Sequence, residues 1–129
     1  MASRDRDWLR QAHKDLEQAR DSRRTGHHEW ACFAAQQAAE KAAKALHLHS
    51  GQEARGHVVA KLLRELPEPV EVPAELIEKA QVLDAYYVSA RYPNAYPEGP
   101  PFEHHGTLQS EQAIRYAGEI IEFVDSQMA

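Results

Sequence analysis

The run EWACFAAQQAAEKAAKALHLHS, from Glu29 to Ser50, constrains this chain more than any other stretch. Its spacing predicts one long helix, and at roughly 3.6 residues per turn its polar side chains share a single face. Gln36, Gln37, Glu40, Lys41, Lys44 and His47 fall within an arc of roughly 140°. Cys32, Leu46 and the alanines between Ala34 and Ala45 cover the rest of the girth. Neighbouring helices can approach such a rod closely. The expectation is a central, mostly buried helix carrying one narrow polar stripe. Trp30 and Phe33 lie on the side of the stripe, so the stripe should be covered by a loop, a ligand or a second subunit. Glu40 and Lys44 form an i,i+4 pair in the favourable order. Cys32, on the alanine side, is read as a small core residue.

The flanking segments supply the covers. A helix from Asp5 to Arg24 places Trp8, Ala12, Leu16 and Ala19 on a buried stripe, with Leu9 at its edge. Asp15 falls inside that stripe. Its carboxylate either reaches water or pairs with a cation from another helix, because an unpaired buried charge is very costly. Thr25-Gly26 and Ser50-Gly51 are stop signals, and the short His27-His28 link predicts an antiparallel return. A short helix follows from Val58 to Leu66, then a connector stiffened by Pro67, Pro69 and Pro73. The next helix, from Ala74 to about Arg91, should bury Leu76, Ala80, Leu83, Tyr87 and Ala90, and Pro93 forces its end. After the long loop Tyr92–Gly106, a last helix runs from near Thr107 to about Gln127. Thr107 or Ser110 is its expected N-cap. Ala113, Ile114, Ala117, Ile120, Ile121 and Val124 form its apolar face. With no convincing strand and no repeat, the chain is expected to be all-α, an up-down bundle of four to five helices forming one domain over residues 1–129.

A net charge of -5 argues against strong non-specific binding to nucleic-acid phosphates, which needs clustered cations. Cys32 is the only cysteine, so no intrachain disulfide can form. No apolar run reaches the length of a membrane span, and the charged start MASRDRDWLR lacks the apolar stretch of a signal peptide. A cytoplasmic protein with no membrane association is the expectation.

No phosphate-binding glycine loop, dinucleotide fingerprint, HExxH or cysteine metal motif occurs. His47 and His49 diverge on their helix, and His104 and His105 lack companions that would complete a metal site. No metal and no cofactor are expected. What remains is Arg91, at the point where a helix opens into the long loop, with Asp84 on one side and Tyr92, Asn94 and Tyr96 on the other. Arginine suits planar, bidentate recognition of phosphate, and tyrosines offer stacking faces. Lys41 and Lys44 add positive charge if their helix is a neighbour. An ion pair of Arg91 with Asp84 or Asp15 that merely ties the bundle together fits equally well.

Four stretches resemble the HEPN domain (higher eukaryotes and prokaryotes nucleotide-binding). They are Trp8-x3-Ala12-x2-Asp15-Leu16-x2-Ala19, the run ACFAAQQAAEKAAKAL, Gly56-His57 with Leu62-Leu63, and LDAYYVSARYP from Leu83 to Pro93. The resemblance implies a helical bundle, a homodimer or higher homo-oligomer, and a small prokaryotic protein paired with a minimal nucleotidyltransferase in a toxin–antitoxin-like module. Many members are metal-independent ribonucleases with an Arg-x4–6-His motif at the dimer interface. Arg91 matches the motif arginine. The histidine would then stand at residues 96 to 98, which are Tyr96, Pro97 and Glu98, and the first histidine afterwards is His104. The resemblance therefore implies a module that binds a nucleotide, RNA or a partner through Lys41, Lys44, Asp84, Arg91, Tyr92, Asn94 and Tyr96. The alternative it allows is an endoribonuclease using Arg91 with His104 or His105.

Overall fold

Three long helices carry the molecule, the first antiparallel to the other two. The computed structural model describes residues 3–129, and every element among them is helical. Helix α1 spans Asp5–Arg24, α2 spans His28–His49 and α7 spans Thr107–Met128. Between α2 and α7 lie α3 (Val59–Arg64), α4 (Ala74–Asp84), α5 (Tyr86–Ser89), a 3-10 turn at Pro93–Ala95, and α6 (Pro101–His104).

Helix α2 is the centre, and it touches each of the six other α-helices. Its alanines make this possible: Ala35, Ala38, Ala39, Ala42, Ala43 and Ala45 are all fully buried. Small side chains let several helices approach one axis, so the core is built from alanine against the larger Leu16, Leu46, Leu62, Leu63, Leu83, Ile120 and Ile121 of its surroundings. The stop signals act as expected. Gly26 and Gly51 hold φ of 84° and 85°, the left-handed conformation that terminates α1 and α2.

Several boundaries differ from expectation. The helix expected from Ala74 to Arg91 breaks at Ala85 into α4 and α5. The expected long loop contains one 3-10 turn and one short helix. Neither Thr107 nor Ser110 caps α7: Gly106 does, its N–H donating to Gln109 Oε1 at 3.0 Å. Ser110 is instead buried, donating to the Thr107 carbonyl and paired with His28 Nδ1 at 2.8 Å. Trp8 is not a core residue; it is 37% exposed, while Leu9, expected at the edge, is buried.

Asp84 builds a joint that the sequence did not suggest. Its two carboxylate oxygens accept the N–H groups of Val59 at 2.6 Å and Ala60 at 3.2 Å, the first amides of α3. A side chain from the end of α4 thus satisfies orphan donors at the start of another helix. Burial pushes the Asp84 carboxyl above the usual carboxylate range despite those two amides.

Candidate functional site

The polar stripe of α2 is largely buried. Gln36, Glu40 and His47 are each no more than 5% exposed. His47 is a satisfied core residue, its Nε2 donating to the Leu62 carbonyl at 2.7 Å while Gln52 serves its Nδ1. Asp15 takes the paired option, receiving the Lys41 ammonium across the α1–α2 contact. Glu40 is the hub. Lys44 Nζ lies 3.0 Å from its Oε2, and His57 Nδ1 lies 3.0 Å from its Oε1. Gln36 donates to the same Oε1 and also to the His57 carbonyl at 3.1 Å.

Burial alone would raise the Glu40 carboxyl, but the hydrogen bonds from Lys44, His57 and Gln36 outweigh it and hold the group below its ordinary 4.5. The unfolded chain therefore takes up this proton first. The stabilisation is present above pH 4.5 and is lost as pH falls through the lower native value. Urea denaturation across the acidic range should show stability falling steeply with acid in the natural protein and less steeply in Glu40→Gln. Equal slopes would remove Glu40 from the acid response.

Arg91 stands beside this hub. Its Nε donates to the Tyr87 carbonyl one turn back at 2.7 Å. Its guanidinium carbon lies 4.4 Å from the ring centre of Phe33, 4.6 Å from Tyr87 and 5.0 Å from Tyr92. Among the described residues no carboxylate pairs with it, and Nη1 and Nη2 have no hydrogen-bond partner. Three aromatic faces hold the fork in place, each cation–π contact contributing roughly 0.5–2 kcal/mol. Both tying ion pairs weighed for Arg91 are absent, because Asp15 serves Lys41 and Asp84 serves α3. Phe33 also lines a groove of about 580 Å³ between α1 and α2, together with Trp30, Gln37 and the Asp15–Lys41 pair.

The HEPN domain family model matches residues 6–127 of the chain. The chain belongs to that family. Solved relatives agree. The HEPN chain is 50% identical to TT1696 from Thermus thermophilus, with a TM-score of 0.96 over 98% of this chain and 99% of that one. It is 38% identical to ST0689, described as an archaeal HEPN homologue, with a TM-score of 0.84 over the full length of both chains. A HEPN domain protein of Thermotoga maritima is 36% identical, with a TM-score of 0.76 over 93% and 95% of the two chains. Among curated proteins, the candidate toxin MJ1304 of Methanocaldococcus jannaschii is 27% identical over 126 residues, covering 91% of this chain and 83% of that one.

Within this HEPN fold the residues singled out by sequence separate into two groups. Arg91 and Tyr92 stay together. Lys41 and Lys44 are each bound to an acid of their own, Asp15 and Glu40, and do not add free charge beside Arg91. Asp84 caps α3. Asn94 lies exposed in the 3-10 turn. Tyr96 belongs to the inner packing of the loop: its ring stacks on His104 at 3.9 Å, and its hydroxyl meets His105 Nε2 at 3.1 Å. His104 also bonds the Glu98 carbonyl through Nε2, and His105 bonds the Pro101 carbonyl through Nδ1. Both histidines thereby serve as struts of the loop. Phe33, Tyr87, Glu40 and His57 are the cluster members that site reasoning from sequence passed over. The visible signals were the i,i+4 spacing of Tyr87 and Arg91 and the place of Phe33 beside the stripe. Cys32 is inert, its thiol pushed up to about 12 by burial and by Glu29.

Proposed function

We propose that this chain is a HEPN module that binds the phosphate of a nucleotide or RNA through Arg91, and that it works as a homodimer in a toxin–antitoxin-like pair with a nucleotidyltransferase. One observation carries the proposal. A guanidinium clamped by Phe33, Tyr87 and Tyr92, with its forked end unpaired, is a preorganised receptor for a planar pair of anionic oxygens. Preorganisation matters because the side-chain entropy has already been spent in folding. The similarity to the candidate toxin MJ1304 supports the toxin half of the pairing. Calorimetric titration with ATP, and separately with a short single-stranded RNA, tests the proposal directly. Absence of heat with both would end it.

The surroundings of Arg91 support the homodimer. Trp30, Val88 and Tyr92 are each about half exposed, at 51%, 48% and 50%. Large apolar side chains gathered around one cation mark an interaction surface. A second copy laid on this face would bring two Arg91 side chains towards each other. Trp30→Glu should convert the dimer to a monomer in sedimentation velocity. A variant that sediments like the natural protein would place the interface elsewhere.

A further inference from the structure

The groove between α1 and α2 has a polar wall whose hydrogen-bonding sense is set from inside the protein. The His57 carbonyl and the ionised Glu40 carboxylate can only accept, and Gln36 Nε2 lies 3.1 and 3.2 Å from them. The Gln36 amide therefore turns its NH2 towards those two groups and leaves its Oε1 for Gln37. Gln37 must answer with a donor, and its Nε2 meets that oxygen at 2.8 Å. Trigonal geometry then puts Gln37 Oε1 on the other side of its amide. No donor among the described residues reaches it. Gln37 is half-buried and lines the groove, so the fold leaves an unpaired acceptor on that wall.

The neighbours of Gln37 narrow down what can use this acceptor. Asp15 is already served twice, by Lys41 and by Gln11 Nε2 at 2.8 Å. Gln18 Nε2 is engaged with Ser22 Oγ at 3.0 Å. Phe33, Gln37 and Lys41 follow at four-residue intervals, so ring, acceptor and cation line up along one strip of α2. Trp30 meets Phe33 edge to face, with ring centres 6.0 Å apart and planes at 82°. The two rings make an aromatic corner at the end of the strip. An indole has two faces, one for a planar ligand and one for a second copy of the chain. The volume of about 580 Å³ falls within the roughly 300–1,000 Å³ of small-molecule sites. A flat aromatic ring suits such a corner, because stacking needs only a π-face. The edge of that ring must offer an N–H to Gln37 Oε1. An exocyclic amino group does so, whereas a carbonyl there would set two acceptors against each other. Lys41 is 26% exposed and keeps N–H groups beyond the one given to Asp15, so a ring nitrogen beside the amino group also finds a donor. Amino group and bare ring nitrogen side by side are the edge of adenine.

We infer that this groove is a base pocket selecting an adenine-type ring, stacked in the Trp30–Phe33 corner with its amino group on Gln37 Oε1. As a nucleotide site it rests on the proposal that Arg91 holds the phosphate, and Phe33 joins the two. Phe33 lines the groove, and its ring centre lies 4.4 Å from the Arg91 guanidinium carbon. The amino contact itself needs no phosphate. The groove supplies a choice among nucleotides that Arg91 lacks, because phosphate is common to them all.

Calorimetry on the full chain compares ATP with ITP, in which a carbonyl stands where adenine has its amino group. ATP should bind roughly tenfold or more tighter, the worth of one hydrogen bond gained against two acceptors opposed. Gln37→Ala should bring the ratio close to one, chiefly by weakening ATP, with circular dichroism to check its fold. Arg91→Ala should weaken both nucleotides by the same factor and keep the ratio. Saturation-transfer NMR with adenosine and inosine asks the same of the groove without phosphate, and adenosine alone should give a signal. Equal binding of ATP and ITP by the natural protein overturns the base pocket and leaves the Arg91 proposal standing. A ratio that survives Gln37→Ala overturns the role of Gln37. Adenosine that binds as tightly as ATP removes Arg91 and keeps the groove. Silence from all four compounds ends both.

Discussion

Arg91→Ala should weaken nucleotide and RNA binding by roughly ten- to a hundredfold, the worth of about one charge-assisted hydrogen-bond pair at 1.5–3 kcal/mol. The argument is local. The fork is unpaired, its Nε is tied to the Tyr87 carbonyl, and three rings fix the plane. Removing it deletes the only cation of the cluster that is not already neutralised among the described residues. Arg91→Lys should recover little, since an ammonium neither lies flat against Phe33 and Tyr87 nor offers two parallel donors. Calorimetry with ATP measures both variants. Unchanged affinity in Arg91→Ala would remove Arg91 from the binding site.

Glu40→Ala should be the most damaging single change to stability, by about 3–5 kcal/mol. The carboxylate is 6% exposed, and its Lys44 partner only 14%. Taking away one partner of such a pair leaves an ammonium with little water and no counter-charge. It also strips Gln36 and His57 of their acceptor. Glu40→Gln keeps an oxygen and should cost less. Urea unfolding monitored by circular dichroism gives the comparison. A loss for Glu40→Ala below about 1 kcal/mol, the worth of an exposed pair, would mean that Lys44 finds water instead.

The frame of this fold could be read from the sequence because it depends on local periodicity. The alanine girth of α2, the glycine stops after α1 and α2 and the apolar face of α7 are all patterns of neighbours three and four apart. The cation partner of Asp15 was legible as an option because the cost of an unpaired buried charge is general. The site was less legible because its members are joined across long intervals. Glu40 and His57 are 17 positions apart, and Asp84 reaches Val59 across 25. No spacing rule announces such pairs. Position after Arg91 directed attention to His104 and His105, yet the fold spends both on Tyr96 and on loop carbonyls. The break at Ala85 was also hidden, since the sequence there contains neither glycine nor proline.

The pairing of both lysines of the α2 stripe sets how this protein should respond to salt. Lys41 and Lys44 give their charge to Asp15 and Glu40, so a bound strand meets a single uncompensated cation per subunit in this cluster among the described residues. Counterion release scales with the number of phosphates neutralised, at about -0.7 for each on a single strand. RNA affinity plotted logarithmically against salt should therefore fall with a slope near that value for each occupied site. Proteins that grip nucleic acid through basic patches lose their hold steeply as ions are added. This one should keep most of its grip, because the rings beneath the guanidinium, rather than a sheet of charge, hold the receptor in shape.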